Sequence, residues 1–151
     1  MTKYSSTQHF LRSTIAILLI SIASLQACAP SISLFSETAY QQAVELKILS
    51  LQLMDHASEP FENHRDDIRV LRHELLKAYE FAKGRPDNEF TTEQWEIMMD
   101  PEQYMIGGFL NRWEQQGTLS ESFIAEAKVT IAEGFDTIIG LESGKIRPRR
   151  G

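Results

Sequence analysis

Three of the four histidines offer the side chains most suited to metal chemistry, His56, His64 and His73. His64 and Asp67 are three residues apart, which places both on one face of a helix. Met54 lies two residues before His56 and adds a soft sulfur beside an imidazole, a combination that suits copper. A metal site needs three or four converging ligands, however, and one helix supplies two at most. We therefore expect surface histidines, Met54 in the core, and neither a metal nor a cofactor.

Residues that could catalyse a reaction are present, but not in a recognisable motif. The chain has one cysteine and no Gly-x-Ser-x-Gly elbow, and Gly107-Gly108 lacks the lysine of a phosphate-binding loop. The His-Glu-x-x-His motif of zinc proteases and the Cys-x-x-Cys-His motif of haem attachment are also missing. Because the chain has many carboxylates, their number does not exclude a catalytic pair of the glycosidase type. The sequence predicts a protein that is not an enzyme.

The single cysteine, Cys28, follows a leader with the features of a signal peptide. Lys3 and Arg12 make its start positively charged. Residues 13–24 form an apolar stretch of about a dozen residues, shorter than the roughly 20 of a membrane span. The leader ends in Leu25-Gln26-Ala27-Cys28. This end resembles the lipobox of bacterial lipoproteins, with glutamine where a small residue is usual.

The lipoprotein resemblance implies that a signal peptidase cuts between Ala27 and Cys28 and that the mature chain carries three acyl chains, palmitate among them. Two acyl chains already anchor a protein stably in a membrane. The sulfur of Cys28 would be held in a thioether, so no thiol would be left for an intrachain disulfide. Aspartate at the position of Ala29 retains enteric lipoproteins in the inner membrane. Alanine there implies the outer membrane, with the domain facing the periplasm.

Removal of the leader leaves an acidic protein. The chain has 15 basic and 21 acidic side chains, and two of the basic ones, Lys3 and Arg12, belong to the leader. The residues from Cys28 onwards therefore carry 13 basic and 21 acidic side chains, a net charge of about −8. Such a charge opposes binding to nucleic acid. The length of this part fits one domain with one core.

Apolar residues at spacings of three, four and seven predict an all-α fold. We expect a compact bundle of three long helices, at about 36–57, 61–83 and 120–140, with two short helices, 92–99 and 109–116, inserted before the last. The expected inward-facing residues are Tyr40, Val44, Ile48 and Leu51, with Leu46, Leu49 and Leu53 beside them, in the first helix; Phe61, Ile68, Leu71, Leu75, Tyr79 and Ala82 in the second; and Phe123, Ala127, Ile131, Phe135 and Ile138 in the last.

Polar residues and glycines predict where the helices begin and end. The expected N-caps are Ser36, Ser120 and a capping box in Thr91-Thr92-Glu93-Gln94; the expected helix ends are Gly84 in the C′ position, Gly117, and Gly140 with Gly144; and Gly107-Gly108 is expected to bend the chain between the short helices.

Large apolar side chains are concentrated between the second and last long helices. We single out Trp95, Met99, Tyr104, Phe109 and Trp113. One interpretation is that short helices need large side chains to hold onto the core. The other is that this surface lines a groove for an apolar or helical segment of a partner, because aromatic residues and methionine are favoured at adaptable binding sites.

A short tether is expected to keep the helical domain close to the membrane. The seven residues between Cys28 and Ser36 reach about 25 Å at full extension. The basic tail could contact anionic headgroups through Lys145, Arg147, Arg149 and Arg150. The expected parts of the chain are a removed signal peptide (1–27), a lipidated tether (28–35), a helical domain (36–141) and a basic flexible tail (142–151).

An acidic helical domain held at a membrane by a short tether is the plan of several small helical lipoproteins, among them the pilotins. This chain resembles them in that plan alone. The resemblance implies a non-catalytic adaptor or accessory that binds an envelope protein or peptide at the surface of the outer membrane. Two alternatives are open, a periplasmic helical bundle that binds a metal or cofactor and a hydrolase that acts on an envelope polymer.

Overall fold

A computed structural model describes residues 33–146, which form α-helices joined by short loops. The helices are α1 (Glu37–Met54), a 3₁₀ helix (Phe61–His64), α2 (Arg65–Lys83), α3 (Glu89–Met99), α4 (Ile106–Gln116) and α5 (Glu121–Glu142). No β-strand occurs within residues 33–146, and the all-α class is confirmed. None of the helices in this range combines the length and the hydropathy needed to cross a bilayer. The predicted signal peptide and Cys28 lie outside the described residues.

Helix α1 buries only part of the face that the sequence predicts. Its N-cap is Ser36, as predicted, and the Ser36 hydroxyl accepts a hydrogen bond from the Ala39 amide at 3.3 Å. The helix carries apolar side chains on several of its faces, so their spacing does not identify one buried face. Small residues bring its backbone close to its neighbours, and Ile48 and Leu49 are left about half exposed. The predicted Leu46 and Leu53 are buried, Leu51 packs partly buried against the core, and Tyr40 and Val44 are partly buried, so the prediction is wrong for Ile48 and Leu49. The buried residues are Ala39, Ala43, Leu46, Ser50, Leu53 and Met54.

Helix α2 buries the face that the sequence predicts. Its partly buried Tyr79 donates a hydrogen bond from the phenol to the Glu96 carboxylate at 2.9 Å. The helix begins only at Arg65, because the backbone of His64, with φ −118° and ψ 8°, interrupts the regular turn after the 3₁₀ helix. The fully buried members of the predicted set are Phe61, Ile68, Leu71, Leu75 and Ala82.

The connection between α2 and α3 depends on an asparagine that the sequence analysis does not identify. Asn88 is the N-cap residue of α3, and its buried side chain donates to the Ala82 carbonyl at the end of α2, at 2.9 Å. The predicted capping box at Thr91 is wrong, because Thr91 is already inside the helix and buried. Helix α2 ends at Lys83 with Gly84 as its C-cap, so the predicted C′ position of Gly84 is wrong. The left-handed residue of this loop is Asp87, with φ 57°.

Helix α5 continues past its predicted end at Gly140 and stops at Glu142. A Cβ at Gly140 would lie 2.4 Å from Cδ1 of Ile146, so glycine makes room for the chain that folds back over the helix end. The Ile146 amide donates to the Gly140 carbonyl at 2.9 Å, and Gly144 turns the chain with φ +71°. Residues 142–146 therefore belong to the domain, and the predicted flexible tail is wrong for this part.

A buried ion pair fastens the two ends of the domain to its middle. Arg85, in the loop after α2, pairs with the carboxylate of Glu142 at the end of α5, and their side chains are 12% and 2% exposed. The same guanidinium donates to the Leu34 carbonyl at 2.6 Å. Removing one partner of such a pair costs about 3–5 kcal/mol, because the other charge is left buried. The contact thus holds the segment before α1, the α2–α3 loop and the end of α5 together.

The middle of α5 lies in the centre of the core. Ile131, Phe135 and Ile138 are fully buried, as predicted, whereas Phe123 and Ala127 are only partly buried. The ring of Phe135 meets the indole of Trp95 edge to face at 6.1 Å. Burial of each large apolar side chain contributes about 1.5–3 kcal/mol. Helix α5 packs mainly against α1 and α3.

Candidate functional site

The predicted partner-binding residues are divided between the core and the surface. Trp95 and Trp113 are 2% and 0% exposed, and Phe109 is 3% exposed. Met99 is partly buried and packs against the core. Tyr104, in contrast, is 87% exposed. The buried indoles offer no surface to a partner, so an interaction at this segment has to be carried by Tyr104 and by residues that the sequence analysis does not single out.

Trp113 has a structural role that explains its burial. Its indole N–H donates to the Glu59 carbonyl at 3.0 Å, which satisfies the polar atom inside the fold. Its ring meets Phe61 edge to face at 5.7 Å. The side chain thereby joins helix α4 to the turn between α1 and α2.

An open groove of about 560 Å³ lies between α4 and α5, next to the segment 101–105. Phe109 and Phe123 form its floor, with their rings parallel to within 5° and 5.9 Å apart. The guanidinium of Arg112 lies over the Phe123 ring at 4.4 Å, a cation–π contact that holds this cation at the groove wall. The apolar lining is completed by Met105, Ala127 and Ile131, and the polar lining by Gln103, Asn111, Gln115, Gln116 and Thr130.

Two adjacent glycines allow the segment 101–105 to form one wall of the groove. Gly107 and Gly108 lie in the first turn of α4. The prediction that they bend the chain between the short helices is therefore wrong. A Cβ at Gly107 would lie 2.1 Å from the Met99 carbonyl oxygen, and one at Gly108 only 1.8 Å from that of Gln103. Any larger residue would therefore push the segment away from the helix.

The rim of the groove carries both signs of charge, but the domain as a whole is acidic. Glu102 and Glu126 line the groove and are exposed, against the single cation of Arg112. Within residues 33–146 there are ten basic and 21 acidic side chains, a net charge of about −11. The groove therefore lies in a negative field that favours a cationic ligand.

A second cluster forms at the turn between α1 and α2. His56 Nδ1 lies 3.3 Å from one carboxylate oxygen of Glu59, and His64 Nε2 lies 2.9 Å from the other. The two imidazole rings stack at 4.9 Å. The hydrogen bond with His64, followed by that with His56, lowers the pKa of the Glu59 carboxyl. That carboxylate therefore stays ionised at neutral pH.

The histidine cluster differs from the pairings considered in the sequence. Met54 is fully buried, and its predicted position in the core is confirmed. The expectation of surface histidines is wrong for His64, whose side chain is 13% exposed. His73 is exposed on α2 and takes no part in the cluster. The sequence analysis does not identify the third member of the cluster, Glu59. The pattern His56-x-x-Glu59-Pro60-x-x-x-His64 indicates it, because a proline turns the chain back between the two histidines.

The predicted membrane-contact residues are almost all beyond the described part of the chain. Cys28, Ala27, Arg147, Arg149 and Arg150 lie outside residues 33–146. Lys145 lies within this range and is exposed, next to the folded-back end of α5.

No protein-family model, curated protein or solved structure matches this chain. Within residues 33–146, the groove and the histidine cluster are the features from which a function can be inferred.

The loss of stability on replacement by alanine should distinguish the buried tryptophans from the exposed Tyr104 at the groove. We expect Trp95→Ala and Trp113→Ala each to lower the free energy of unfolding by roughly 3–5 kcal/mol, because each leaves a large cavity. Tyr104→Ala should change it by no more than about 0.5 kcal/mol, since the side chain is exposed. Urea unfolding followed by circular dichroism measures all three. A loss at Tyr104 as large as that at the tryptophans would contradict this division.

Proposed function

We propose that the mature chain is a lipid-anchored, non-catalytic adaptor at the periplasmic face of the outer membrane. In this proposal the α4–α5 groove binds a short apolar segment, flanked by basic residues, of an envelope protein. The observation that carries the proposal is the groove itself, an open cleft with an aromatic floor in an acidic domain.

The lining of the groove suits a peptide segment. Phe123 and Met105, both partly buried, provide an apolar floor that an aliphatic or aromatic side chain can cover, and the buried ring of Phe109 supports Phe123 from below. Gln103 and Gln116, both exposed, add amide groups that can donate to and accept from a peptide backbone. Tyr104 stands exposed at the edge, and tyrosine is among the residues that most often dominate binding energy. These features together favour a partner segment over a small polar metabolite.

The charge of the domain favours a basic segment. The one cation in the groove, Arg112, is already held over Phe123, whereas the carboxylates of Glu102 and Glu126 are exposed at the rim. Electrostatic attraction speeds the encounter of oppositely charged surfaces and discourages acidic partners. A segment with lysine or arginine beside its apolar anchor therefore fits best.

The groove offers less support for a hydrolase. A general acid of the glycosidase type needs a carboxyl group whose pKa is raised by an apolar environment. Glu102 and Glu126, the carboxylates that line the groove, are both exposed to solvent. We therefore prefer the adaptor to the enzyme.

The anchor completes the proposal. Lipidation of Cys28 would leave the tether before α1 only a few residues long, so the groove would lie within tens of ångströms of the membrane. The three longer helices would then act as the rigid scaffold of the bundle, and α3 and α4, inserted before α5, would present the groove.

Substitution of the proposed lipidation site tests the anchor. Cys28→Ser removes both the sulfur that carries the lipid and the processing signal. We expect an uncleaved precursor that takes up no labelled palmitate, measured by metabolic labelling and immunoprecipitation, whereas the wild type is labelled. Labelling of the variant at the wild-type level would contradict the lipoprotein assignment.

Site-specific photo-crosslinking in cells tests the groove. A photoreactive amino acid at Tyr104 should give a discrete crosslinked product with an envelope protein, because this side chain projects at the groove edge. The matched control is Leu76 on α2, which is 49% exposed and does not line the groove. Equal products from both positions, or none from Tyr104, would contradict the proposed binding site.

A further inference from the structure

We propose that His56, Glu59 and His64 form a binding site for a divalent transition-metal ion of the zinc type. This site is separate from the α4–α5 groove, and the inference does not depend on the adaptor function. It rests on the convergence of three ligand types at one turn, on their spacing and on the rigidity of the turn.

The donor atoms are of the right kind. Two imidazole nitrogens and one carboxylate oxygen are the ligand set that zinc takes at open sites, with a solvent molecule in the fourth position. Imidazole also suits Cu²⁺ and Ni²⁺, whereas Mg²⁺ and Ca²⁺ prefer oxygen ligands alone. The set therefore selects a late transition metal over the alkaline-earth ions.

The donor atoms are also close enough. His56 Nδ1, His64 Nε2 and a Glu59 carboxylate oxygen all lie within 4.8 Å of one another. Zinc bonds to nitrogen and oxygen are about 2.0–2.1 Å long, so two ligands of a tetrahedral ion are roughly 3.3–3.4 Å apart. The separations of the histidine nitrogens from Glu59, 3.3 and 2.9 Å, are close to this value. An ion could enter after small side-chain rotations, since His56 and Glu59 are about half exposed.

The turn that carries the three residues is held rigidly by the rest of the domain. The amide of Phe61 donates to the Gly117 carbonyl, and the amide of Leu119 to the Ala57 carbonyl, both at 2.8 Å. The indole of Trp113 donates to the carbonyl of Glu59 itself. These bonds fix the backbone on both sides of Glu59, and a fixed backbone reduces the ordering cost of binding an ion.

His64 is the best oriented of the three ligands. Its side chain is 13% exposed, and its ring lies between the rings of His56 at 4.9 Å and Trp113 at 5.5 Å. Packing on both sides limits its rotation and directs Nε2 towards Glu59. The remaining face of the cluster is formed by the exposed side chains of His56 and Glu59, so an ion bound there would keep a position open to solvent.

Calorimetric titration with Zn²⁺ alone tests this site. The full chain is purified in detergent without a polyhistidine tag and with Cys28→Ser, so that no thiol competes for the ion. His9→Ala removes the leader histidine that this uncleaved precursor retains. We expect one saturable Zn²⁺ site per chain that His56→Ala and Glu59→Gln each weaken by at least about tenfold, the loss already typical of changes in the outer shell of a metal site. Both positions are exposed, so the variants should keep the helical circular dichroism spectrum of the parent.

The matched control is His73→Ala, which removes an exposed histidine of α2 outside the cluster. Zn²⁺ should raise the melting temperature of the parent and of this control, but not that of His56→Ala, because an ion that binds only the folded state stabilises it. Absence of saturable binding would overturn the proposal. Binding that His56→Ala and Glu59→Gln leave unchanged would overturn it as well.

Discussion

The lack of a side chain at Gly107 and Gly108 is the constraint on which the groove depends. The first turn of α4 meets the carbonyl groups of Met99 and Gln103 so closely that a single methyl group would not fit. Backbone therefore packs on backbone, and the segment 101–105 turns back against the helix. The Asn111 side chain then donates to the Pro101 carbonyl at 3.3 Å and adds a polar tie between the same two elements. One wall of the groove thus follows from two missing Cβ atoms.

Helix α4 also connects the groove to the histidine cluster. Arg112 faces the groove, whereas the adjacent Trp113 faces the core and contacts both His64 and the backbone of Glu59. The helix ends at Gly117, whose φ of +79° turns the chain, and whose carbonyl accepts the Phe61 amide. One short helix therefore lines the groove and, through its buried indole, supports the turn that carries the histidine cluster. A change that loosens Trp113 should disturb both.

The sequence predicts the helices well where their apolar spacing is clear and poorly where it is not. Helix α2 alternates charged and apolar residues, so its buried face could be identified. Helix α1 is apolar on several sides, and the small residues Ala43 and Ser50 decide its packing, which hydrophobicity does not reveal. The fold-back at Gly140 and the pair Arg85–Glu142 join residues far apart in sequence, and no local pattern indicates such contacts.

The sites were predictable to a smaller extent than the fold. The concentration of large apolar residues in 95–113 indicated the right region. Residue type alone could not separate the buried Trp113 from Tyr104, which lies exposed in the loop before α4. The groove needs Phe123 and Arg112, whose contact crosses from one helix to the next. The histidine cluster needs a turn at Pro60 that brings residues of three different local conformations together. Such convergence is a property of tertiary structure.

The proposal that this groove captures a partner is tested most directly by closing it through its backbone. Gly108→Ala places a methyl group against the Gln103 carbonyl, whereas Gly84→Ala is a matched glycine change with no neighbouring atom nearer than 3.4 Å. Crosslinking in cells followed by affinity purification of the tagged chain measures the captured envelope protein in both variants. We predict that Gly84→Ala retains capture and that Gly108→Ala loses it while keeping its helical circular dichroism signal. Capture of the same protein by Gly108→Ala at the wild-type level would contradict the account.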